Sequence, residues 1–365
     1  MKNKLLSVCI PVYNRREVFK HCLIKACQAC MESSEDVEVV ISDNNSEDDL
    51  YFIVEEIRLE FLDIDIIYNK NKENIGSSRN FFKVIDMASG EFCWIVGSDD
   101  FVKKDSIKTL IDIIKQNNDI SFICCNYDSI FLNKLKFENG EYIDIHQQLL
   151  NENMLVKHRA PVWTGIVEKF DSLVDPVFNN VFLGAVMTGI FKKSLWNNVN
   201  KSNIEWDGFS GLESIYPHCY IYAKAFLGKK AYYYGKPLIT VGEGTREWST
   251  DKGNSFWNSS LPLIFFNIWG DMIYNYKICG LDTIQYRKCR GAVAKTAGTY
   301  FLPVFFRKCV LGQHIQNSEN IKIGKVLKAY LFVPSFYKGI LKSIINFFKG
   351  ILKALIKRAG IKSIR

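Results

Sequence analysis

The first third of the chain alternates short apolar segments with amphipathic ones, and this alternation restricts the fold more than any other feature. Short segments rich in Val and Ile predict buried strands, and apolar residues spaced three and four apart predict helices. Together they predict an α/β fold with a doubly wound, mostly parallel sheet flanked by helices. We expect strands at residues 6–12, 37–42, 64–68, 91–96 and 120–126, and helices at 15–30, 46–61, 77–88 and 105–116.

The regular alternation ends after residue 126. Residues 127–180 are expected to form an excursion from the sheet, followed by a β-like segment at 182–191, a helix at 210–226 and an extended segment at 231–234. The predicted organisation is a domain of residues 1–250, with halves at 1–126 and 127–250, then a helical region at 251–334 and a basic helix at 335–365.

Cysteine usage and apolar run lengths exclude several classes of protein. No apolar run reaches the roughly 18 residues that a membrane-spanning helix needs. Cys27 and Cys30 form one Cys-x-x-Cys pair without a second pair, which argues against a metal or redox site there. Cysteines inside apolar segments, such as Cys9 and Cys93, behave as small hydrophobic residues, and a reduced cytoplasmic compartment fits them best.

The positive charge of the chain is concentrated at its C-terminal end. The net charge is +8, and residues 335–365 hold eight Lys or Arg and no Asp or Glu. The rest of the chain is therefore close to neutral. This distribution argues against a nucleic-acid-binding body and for a tail with its own partner.

The turn after the first strand narrows the choice of ligand. Ligands of open α/β sheets bind outside the carboxyl ends of the strands. A dinucleotide site or a P-loop requires a glycine-rich turn there, whereas this chain has Pro11-Val12-Tyr13-Asn14-Arg15. Hydride transfer and P-loop phosphoryl transfer are both disfavoured.

Polar side chains follow the later strands at the same predicted edge of the sheet. Asp43 ends the second strand, Arg79 begins the helix after the third, and Asp99 and Asp100 follow the fourth. Adjacent carboxylates beside a buried strand are costly without a positive partner. Mg²⁺ takes one or two carboxylates together with substrate phosphate oxygens, so the pair indicates a metal–diphosphate site. The alternative is an ordinary strand-ending turn.

Four segments in this order resemble the successive motifs of glycosyltransferase family 2. They are residues 7–15, 39–46, 74–80 and 94–100. The resemblance is strong over about residues 5–130 and looser over 180–250. Within the family, the chain is most similar to bacterial O-antigen and capsule enzymes of the abequosyltransferase-like type. The resemblance implies the GT-A fold, a Rossmann-like sheet flanked by helices, and transfer from a nucleotide-sugar, typically with inversion.

The resemblance also implies roles for individual residues. The nucleotide pocket would be lined by Pro11, Tyr13 and Arg15, with Asp43 on the base and Arg79 near the phosphates. Asp99 would face the ribose and the metal, and Asp100 would bind Mg²⁺ or Mn²⁺. Many members have a further Asp at the position of Gly97 or Ser98, and this chain does not.

The general base is expected in the segment 210–218, where the family's usual Glu-Asp pair is missing. Glu213 and His218 are the two candidates, and His218 is preferred, because the unperturbed pKa of histidine suits a base near neutral pH. Farther on, Arg246 and Trp248 lie in a glycine-containing segment that suits a loop closing over a diphosphate or a sugar. We therefore expect both to contact the donor.

The tail is predicted to be an amphipathic helix. From residue 340 its apolar residues fill one half of the helix, and Lys342, Lys349, Lys353 and Lys357 fall on the other. Such a helix lies in a membrane interface and is drawn to anionic lipid. The alternatives are a helix that packs on the protein's own core and one that recruits a partner transferase.

These features favour a peripheral enzyme at the cytoplasmic face of the inner membrane. It would move a sugar from a nucleotide donor to a lipid-linked glycan in O-antigen or capsule synthesis. Two other functions stay open: a sugar nucleotidyltransferase, and a catalytically silent module that binds nucleotide or glycan.

Overall fold

The computed structural model describes residues 4–312 and 321–358, apart from residues 133–134, 136, 139–140, 143–144, 179–180, 203, 205–210 and 245–260. The chain divides into two compact units. The first comprises residues up to 246 together with 279–281, and the second comprises residues 247–278 and those from 282 onward. The predicted domain boundaries at residues 126, 250 and 334 stay predictions.

The first unit contains all the described strands. They are β1 Leu6–Val12, β2 Val37–Asp43, β3 Asp65–Lys70, β4 Phe92–Ile95, β5 Asp100–Val102, β6 Phe122–Phe131, β7 Phe137–Glu138, β8 Glu141–Tyr142, β9 Leu155–Lys157, β10 Thr164–Val167, β11 Gly189–Lys192 and β12 Ala231–Glu243. Its helices are α1 Arg16–Cys30, α2 Leu50–Glu60, α3 Ser77–Met87, α4 Ser106–Gln116, α5 Ile145–Leu150, α6 Lys193–Asn197, α7 Leu212–Ile215 and α8 Pro217–Ala225.

The main sheet is mixed. Its strand order is β10-β12-β6-β11-β4-β1-β2-β3, with β5 paired to β12 and β9 paired to β6. The four strands β3, β2, β1 and β4 are parallel, and β6 is parallel to β12. Strand β11 lies antiparallel between β4 and β6, because the chain returns from the excursion in the opposite direction. The predicted α/β class is confirmed, but the sheet is less parallel than expected.

The core of the first unit covers both faces of the sheet. All seven residues of β2 are buried, and β4 is buried throughout. Trp94 on β4 is fully buried, and its indole N–H donates to the carbonyl oxygen of Met187 at 2.7 Å. Burial of both faces explains why these strands are continuous apolar runs.

Two of the sequence-based elements need correction. The helix expected at 210–226 is two helices in the described residues, α7 and α8, because Pro217 disfavours helical backbone at Tyr216. The segment expected to be β-like at 182–191 is a strand only from Gly189. Before it, the backbone at Val181, Phe182 and Leu183 has positive φ. Residues other than glycine rarely adopt this conformation, so the sequence does not predict it.

The second unit is helical where it is described, as the predicted C-terminal helical region requires. Its helices are α9 Leu261–Leu263, α10 Trp269–Ile278, α11 Thr283–Phe305, α12 Ile323–Tyr330 and α13 Pro334–Arg358, with π-helical turns at Ile264–Ile268 and Phe306–Val310. A Cβ on Gly298 would lie 2.0 Å from the carbonyl oxygen of Phe336, and one on Gly339 would lie 2.1 Å from that of Lys295. Helices α11 and α13 therefore cross in close backbone contact. Among the helices that the structure describes, none has the length and apolar character needed to cross a membrane.

Candidate active site

The candidate site lies along the carboxyl ends of β1, β2 and β4. Val12 at the end of β1 pairs with Asp43 at the end of β2 in parallel register. Strand β4 runs parallel to β1 and leads into the turn 96–99. The three polar segments that the sequence places after these strands therefore share one edge of the sheet.

Two adjacent carboxylates, Asp99 and Asp100, close the turn between β4 and β5. Only 9% and 4% of their surfaces are exposed. Oδ2 of Asp99 lies 3.0 Å from Nη1 of Arg15 in an ion pair. Asp100 accepts hydrogen bonds from the backbone N–H groups of Gly97 and Gly242, both at 3.2 Å. A cation and two backbone donors thus compensate the buried negative charge.

Glycine at positions 97 and 242 allows the backbone to approach this pair. A Cβ at position 97 would lie 2.7 Å from Oδ2 of Asp100. A Cβ at position 242 would lie 2.2 Å from the carbonyl oxygen of Asp99. A side chain at position 97 would displace the Asp100 carboxylate, which gives a steric reason why the additional Asp of many family members is absent from that position.

The turn after β1 aims Arg15 at Asp99. Asn14 and Arg15 both have left-handed backbone, with φ of 55° and 64°. Such backbone costs non-glycine residues roughly 1–2 kcal/mol each. Asn14 offsets this cost by donating its N–H to Oγ of Ser46 at 2.7 Å and accepting the N–H of Glu47 at 2.9 Å. The turns after β1 and β2 are therefore bonded to each other.

Asp43 is fully buried and its carboxylate organises the turn after β2. Oδ1 accepts the backbone N–H of Ser46 at 2.8 Å and its hydroxyl at 2.6 Å. Oδ2 accepts the hydroxyl of Tyr68 at 2.7 Å. Burial and this bond raise the pKa of the Tyr68 hydroxyl above its ordinary value. The role of Asp43 toward a nucleotide base stays a prediction.

Asparagine side chains fix the segment before α3. Nδ2 of Asn44 donates to Oδ1 of Asn74 at 2.7 Å, and Oδ1 of Asn44 accepts the N–H of Ile75 at 2.9 Å. The fixed segment leads into the first turn of α3, where Arg79 is exposed. Arg79 therefore stands at the edge that carries Asp43.

Of the two candidate bases, Glu213 belongs to α7, a helix that contacts this edge through Ser214. Glu213 is half-buried in the first turn of α7. The hydroxyl of Ser78, next to Arg79, donates to the carbonyl oxygen of Ser214 at 2.7 Å. This bond joins α7 to the start of α3 across 136 residues of sequence. It brings Glu213 to the neighbourhood of the predicted nucleotide contacts.

His218, the other candidate, is a buried core residue. Nε2 lies 3.1 Å from the carbonyl oxygen of Gly184, so it must carry the proton and donate it. The ring packs against Tyr222, with centroids 5.5 Å apart. Burial lowers the pKa of His218 to about 4. This environment argues against the sequence-based preference for His218 as the base.

The remaining predicted contacts divide into two groups. Pro11 and Tyr13 are half-buried at the end of β1, beside the Arg15 turn. Arg246 and Trp248 lie outside the described residues, and their predicted contacts with the donor stay predictions.

The carboxylate pair fits a hard divalent cation. Asp99 and Asp100 offer oxygen ligands, which Mg²⁺ and Mn²⁺ prefer. In the part of the chain that the structure describes, no group of three or more His, Cys, Asp or Glu residues is placed to hold a metal ion. Two carboxylates alone suit Mg²⁺, which takes its other ligands from substrate phosphates and water.

The sequence analysis does not predict a polar cluster that lies near Asp100, at the ends of β6 and β12. It consists of Ser129 on β6, Glu243 at the end of β12 and His158 after β9. The cluster depends on parallel pairing of β6 with β12, which joins residues more than 100 positions apart. No local pattern in the sequence indicates that pairing.

Residues 7–170 match the family model described as Glycosyl transferase family 2. Abequosyltransferase RfbV of Salmonella typhimurium is 28% identical over 259 residues, which cover 69% of this chain and 70% of that protein. The GalNAc(5)-diNAcBac-PP-undecaprenol beta-1,3-glucosyltransferase of Campylobacter jejuni is 26% identical over 196 residues, 54% of this chain and 60% of that protein.

Solved structures share the fold. TarS 1–349 from S. aureus in complex with UDP-GlcNAc superposes with a TM-score of 0.58 at 16% identity, covering 94% of this chain and 89% of that one. The mannosyltransferase PcManGT from Pyrobaculum calidifontis, in complex with GDP-Man and Mn²⁺, gives a TM-score of 0.50 at 12% identity, covering 93% and 84%.

The fold, the polar edge and these matches define a glycosyltransferase with the GT-A fold. The match to the glycosyl transferase family 2 model covers residues 7–170, and over that part of the chain the predicted resemblance to the family is confirmed. Its relatives include bacterial proteins named as an abequosyltransferase and as a beta-1,3-glucosyltransferase for an undecaprenol-linked glycan.

Proposed function

We propose that this glycosyltransferase moves a sugar from a nucleoside-diphosphate donor to a lipid-linked glycan acceptor, with inversion at the anomeric carbon. The setting would be synthesis of a bacterial surface polysaccharide such as O-antigen or capsule. The observation that carries the proposal is the buried pair Asp99 and Asp100, held by Arg15 and two backbone N–H groups at the end of β4. The named activities of the relatives support it.

The donor would lie along the edge of the sheet. Its base would rest near Tyr13 and the Asp43 turn, and its diphosphate near Asp99 and Asp100. Asp43 uses three of about four acceptor positions of its carboxylate within the protein, and the base would have to displace the groups that now bury it in order to use the fourth. Arg79, exposed at the start of α3, would offset phosphate charge.

Asp99 and Asp100 would hold Mg²⁺ or Mn²⁺. When bound, such a cation neutralises charge that develops on the departing diphosphate. Arg15 already forms an ion pair with Asp99, and it would orient that carboxylate and add positive charge beside the leaving group. The chain's own contribution is a set of fixed charges that do not reorganise during the reaction.

Glu213 would be the general base that takes the proton of the acceptor hydroxyl. An inverting displacement needs a single base on the face opposite the leaving group, within about 2.6–3.2 Å of the hydroxyl. Half-buried Glu213 is joined to the donor edge through the bond between Ser78 and Ser214. His218 is neutral, and its Nε2–H group already donates a hydrogen bond to the carbonyl oxygen of Gly184.

The C-terminal unit would hold the enzyme at an anionic membrane surface. Residues 283–365 contain seventeen Lys and Arg and one acidic residue. On the described part of α13, large apolar side chains are between 38% and 66% exposed: Leu341, Ile344, Ile345, Phe347 and Phe348. This exposure favours an interfacial helix over one packed on the protein's own core. A lipid-linked acceptor would then be available at the cytoplasmic face of the membrane.

Donor binding tests the catalytic part of the proposal. The midpoint of thermal unfolding would be measured with UDP-, GDP-, CDP- and dTDP-sugars, with and without Mn²⁺. A ligand present at 100 times its Kd stabilises the native state by about 2.7 kcal/mol. We expect one nucleotide class to raise the midpoint, and Mn²⁺ to increase the effect. No shift with any sugar nucleotide would contradict the proposal and favour the silent-module alternative.

Flotation with liposomes tests the membrane part. A chain ending at residue 340 keeps Phe336 and Gly339, which contact α11, and loses the exposed part of α13. The full chain should float with phosphatidylglycerol vesicles and the truncated chain should not. Reversal of Lys342 and Lys349 to Glu should weaken binding at least ~30-fold, at about 1 kcal/mol per charge.

The matched control reverses Lys20 and Lys108 to Glu on the first unit, which changes the net charge equally. These two lysines form exposed ion pairs with Glu56 and Glu32. Equal flotation of the full and truncated chains would contradict membrane binding by α13, and recruitment of a partner protein would then be the better account of the tail.

A further inference from the structure

A compact polar centre without a role in the proposed donor site is formed by Ser129, His158 and Glu243. Oγ of Ser129 lies 2.6 Å from Nε2 of His158 and 3.5 Å from Oε1 of Glu243. Ser129 is 1% exposed, whereas His158 and Glu243 are half-buried and reach the surface. A buried hydroxyl therefore positions an imidazole and a carboxylate side by side.

Two further contacts make this centre rigid. The ring of His158 packs on the ring of Tyr127, with centroids 4.4 Å apart and an interplanar angle of 30°. Ser129 and Glu243 belong to neighbouring strands, because β6 and β12 pair in parallel from Phe122 to Phe131. Ser129 and Glu243 are thus held by strands, and His158, which follows β9, is held by its ring contact with Tyr127; this favours precise recognition of a ligand.

The centre adjoins the carboxylate pair. The N–H of Gly242, the residue before Glu243, donates to Oδ1 of Asp100 at 3.2 Å. Strand β12 also pairs with β5 at Asp100 itself, opposite Val241. Glu243 therefore lies next to the proposed diphosphate site, one residue beyond the backbone that contacts Asp100.

The order of strands in the sheet indicates which part of the donor would lie beside Glu243. From one edge of the sheet the order runs β3, β2, β1, β4, β11, β6 and β12. The proposed base contacts belong to β1 and β2, and the proposed diphosphate contacts follow β4. A sugar nucleotide has its sugar on the far side of the diphosphate from the base. A donor bound in this direction would extend its sugar toward the ends of β6 and β12.

We propose that Ser129, His158 and Glu243 are the specificity site for the transferred sugar, and that His158 and Glu243 bind its hydroxyl groups. This inference rests on the proposed function. The carboxylate accepts hydrogen bonds from sugar hydroxyls, and the imidazole either donates or accepts one, depending on its tautomer. Ser129 is a positioning residue, since its hydroxyl contacts both groups and is itself buried.

The test compares the affinity for a nucleoside diphosphate with the affinity for the matching sugar nucleotide. Isothermal titration would use UDP against UDP-glucose, and GDP against GDP-mannose, or the equivalent pair for the nucleotide that stabilises the protein. Glu243→Gln and His158→Ala should each weaken binding of the sugar nucleotide about 10- to 100-fold, because hydrogen bonds to charged or buried partners are lost. Binding of the free diphosphate should change less than about twofold, and it also reports that the variant is folded.

Two controls and three contrary outcomes complete the test. Asp100→Asn should weaken both ligands together, and Glu152→Gln, at an exposed ion pair with Lys157, should weaken neither. Equal loss of both ligands in the Glu243 and His158 variants would overturn the proposal and indicate a structural role. Unchanged donor affinities with a raised KM for the acceptor would overturn it in favour of an acceptor site. A wild-type protein that binds diphosphates but no sugar nucleotide would overturn the proposed function and this inference with it.

Discussion

Replacement of Gly97 by Ala should damage the carboxylate pair while leaving the fold intact. The new Cβ would lie 2.7 Å from Oδ2 of Asp100 and 3.2 Å from Oδ1 of Asp99. The Asp100 carboxylate would have to move by about 0.7 Å to reach ordinary van der Waals contact. It would also give up its bond from the N–H of Gly97. Displacement of a catalytic group by about 1 Å costs roughly 100-fold in rate.

The expected result is a kcat/KM between about 10- and 100-fold below wild type, with a higher Mn²⁺ concentration needed for half-maximal rate. The free energy of unfolding should fall by only about 1–3 kcal/mol, because the Asp100 carboxylate loses the bond from Gly97 but keeps the one from Gly242. The assays are release of nucleoside diphosphate and urea unfolding. Gly324→Ala, where a Cβ meets no atom within 4 Å, is the control. Unchanged turnover and Mn²⁺ dependence would refute the reasoning, as would loss of activity that merely follows loss of stability.

Three further predictions concern the base, pH and the second unit. Glu213→Gln should lower kcat about 10²- to 10⁴-fold, and His218→Gln should leave it within about threefold; the opposite pattern would restore His218 as the base. Because the pKa of His218 is about 4 in the folded protein and about 6.5 when unfolded, its contribution to stability is present above pH 6.5 and is lost as the pH falls toward 4. The expected loss at pH 5 is about 2 kcal/mol, to be measured by urea unfolding, and an equally large loss in His218→Gln would contradict this. Gly298→Val should separate α11 from α13, because its Cβ would meet the carbonyl oxygen of Phe336 at 2.0 Å, and loss of helical circular dichroism would report it; an unchanged spectrum would argue against the close crossing.

The part of the fold that precedes residue 126 could be predicted from the sequence, because each of its strands and helices follows from a local pattern of residues. Each strand from β1 to β4 is a short apolar run followed by polar residues, and parallel pairing brings those polar residues to one edge. The break at Tyr216 was also readable, because residues that precede proline avoid helical backbone.

Other features depend on contacts that no local pattern reveals. Strand β11 pairs antiparallel between β4 and β6, and the direction of its return is decided by the excursion. The neutral state of His218 depends on burial and on a carbonyl of Gly184, 34 residues away. The centre at Ser129, His158 and Glu243 requires the long-range pairing of β6 with β12. Residue types indicate the chemistry, and tertiary contacts decide which of these groups are placed to perform it.

Release of nucleoside diphosphate from the panel of sugar nucleotides, compared between wild type and Asp100→Asn, tests the central claim most directly. We predict that wild type with Mn²⁺ turns over one nucleotide class, and that Asp100→Asn, with its unfolding midpoint retained, turns it over at least about 100-fold more slowly. Equal turnover by both proteins, or no turnover by the wild type in the presence of lipid-linked acceptor, would contradict it.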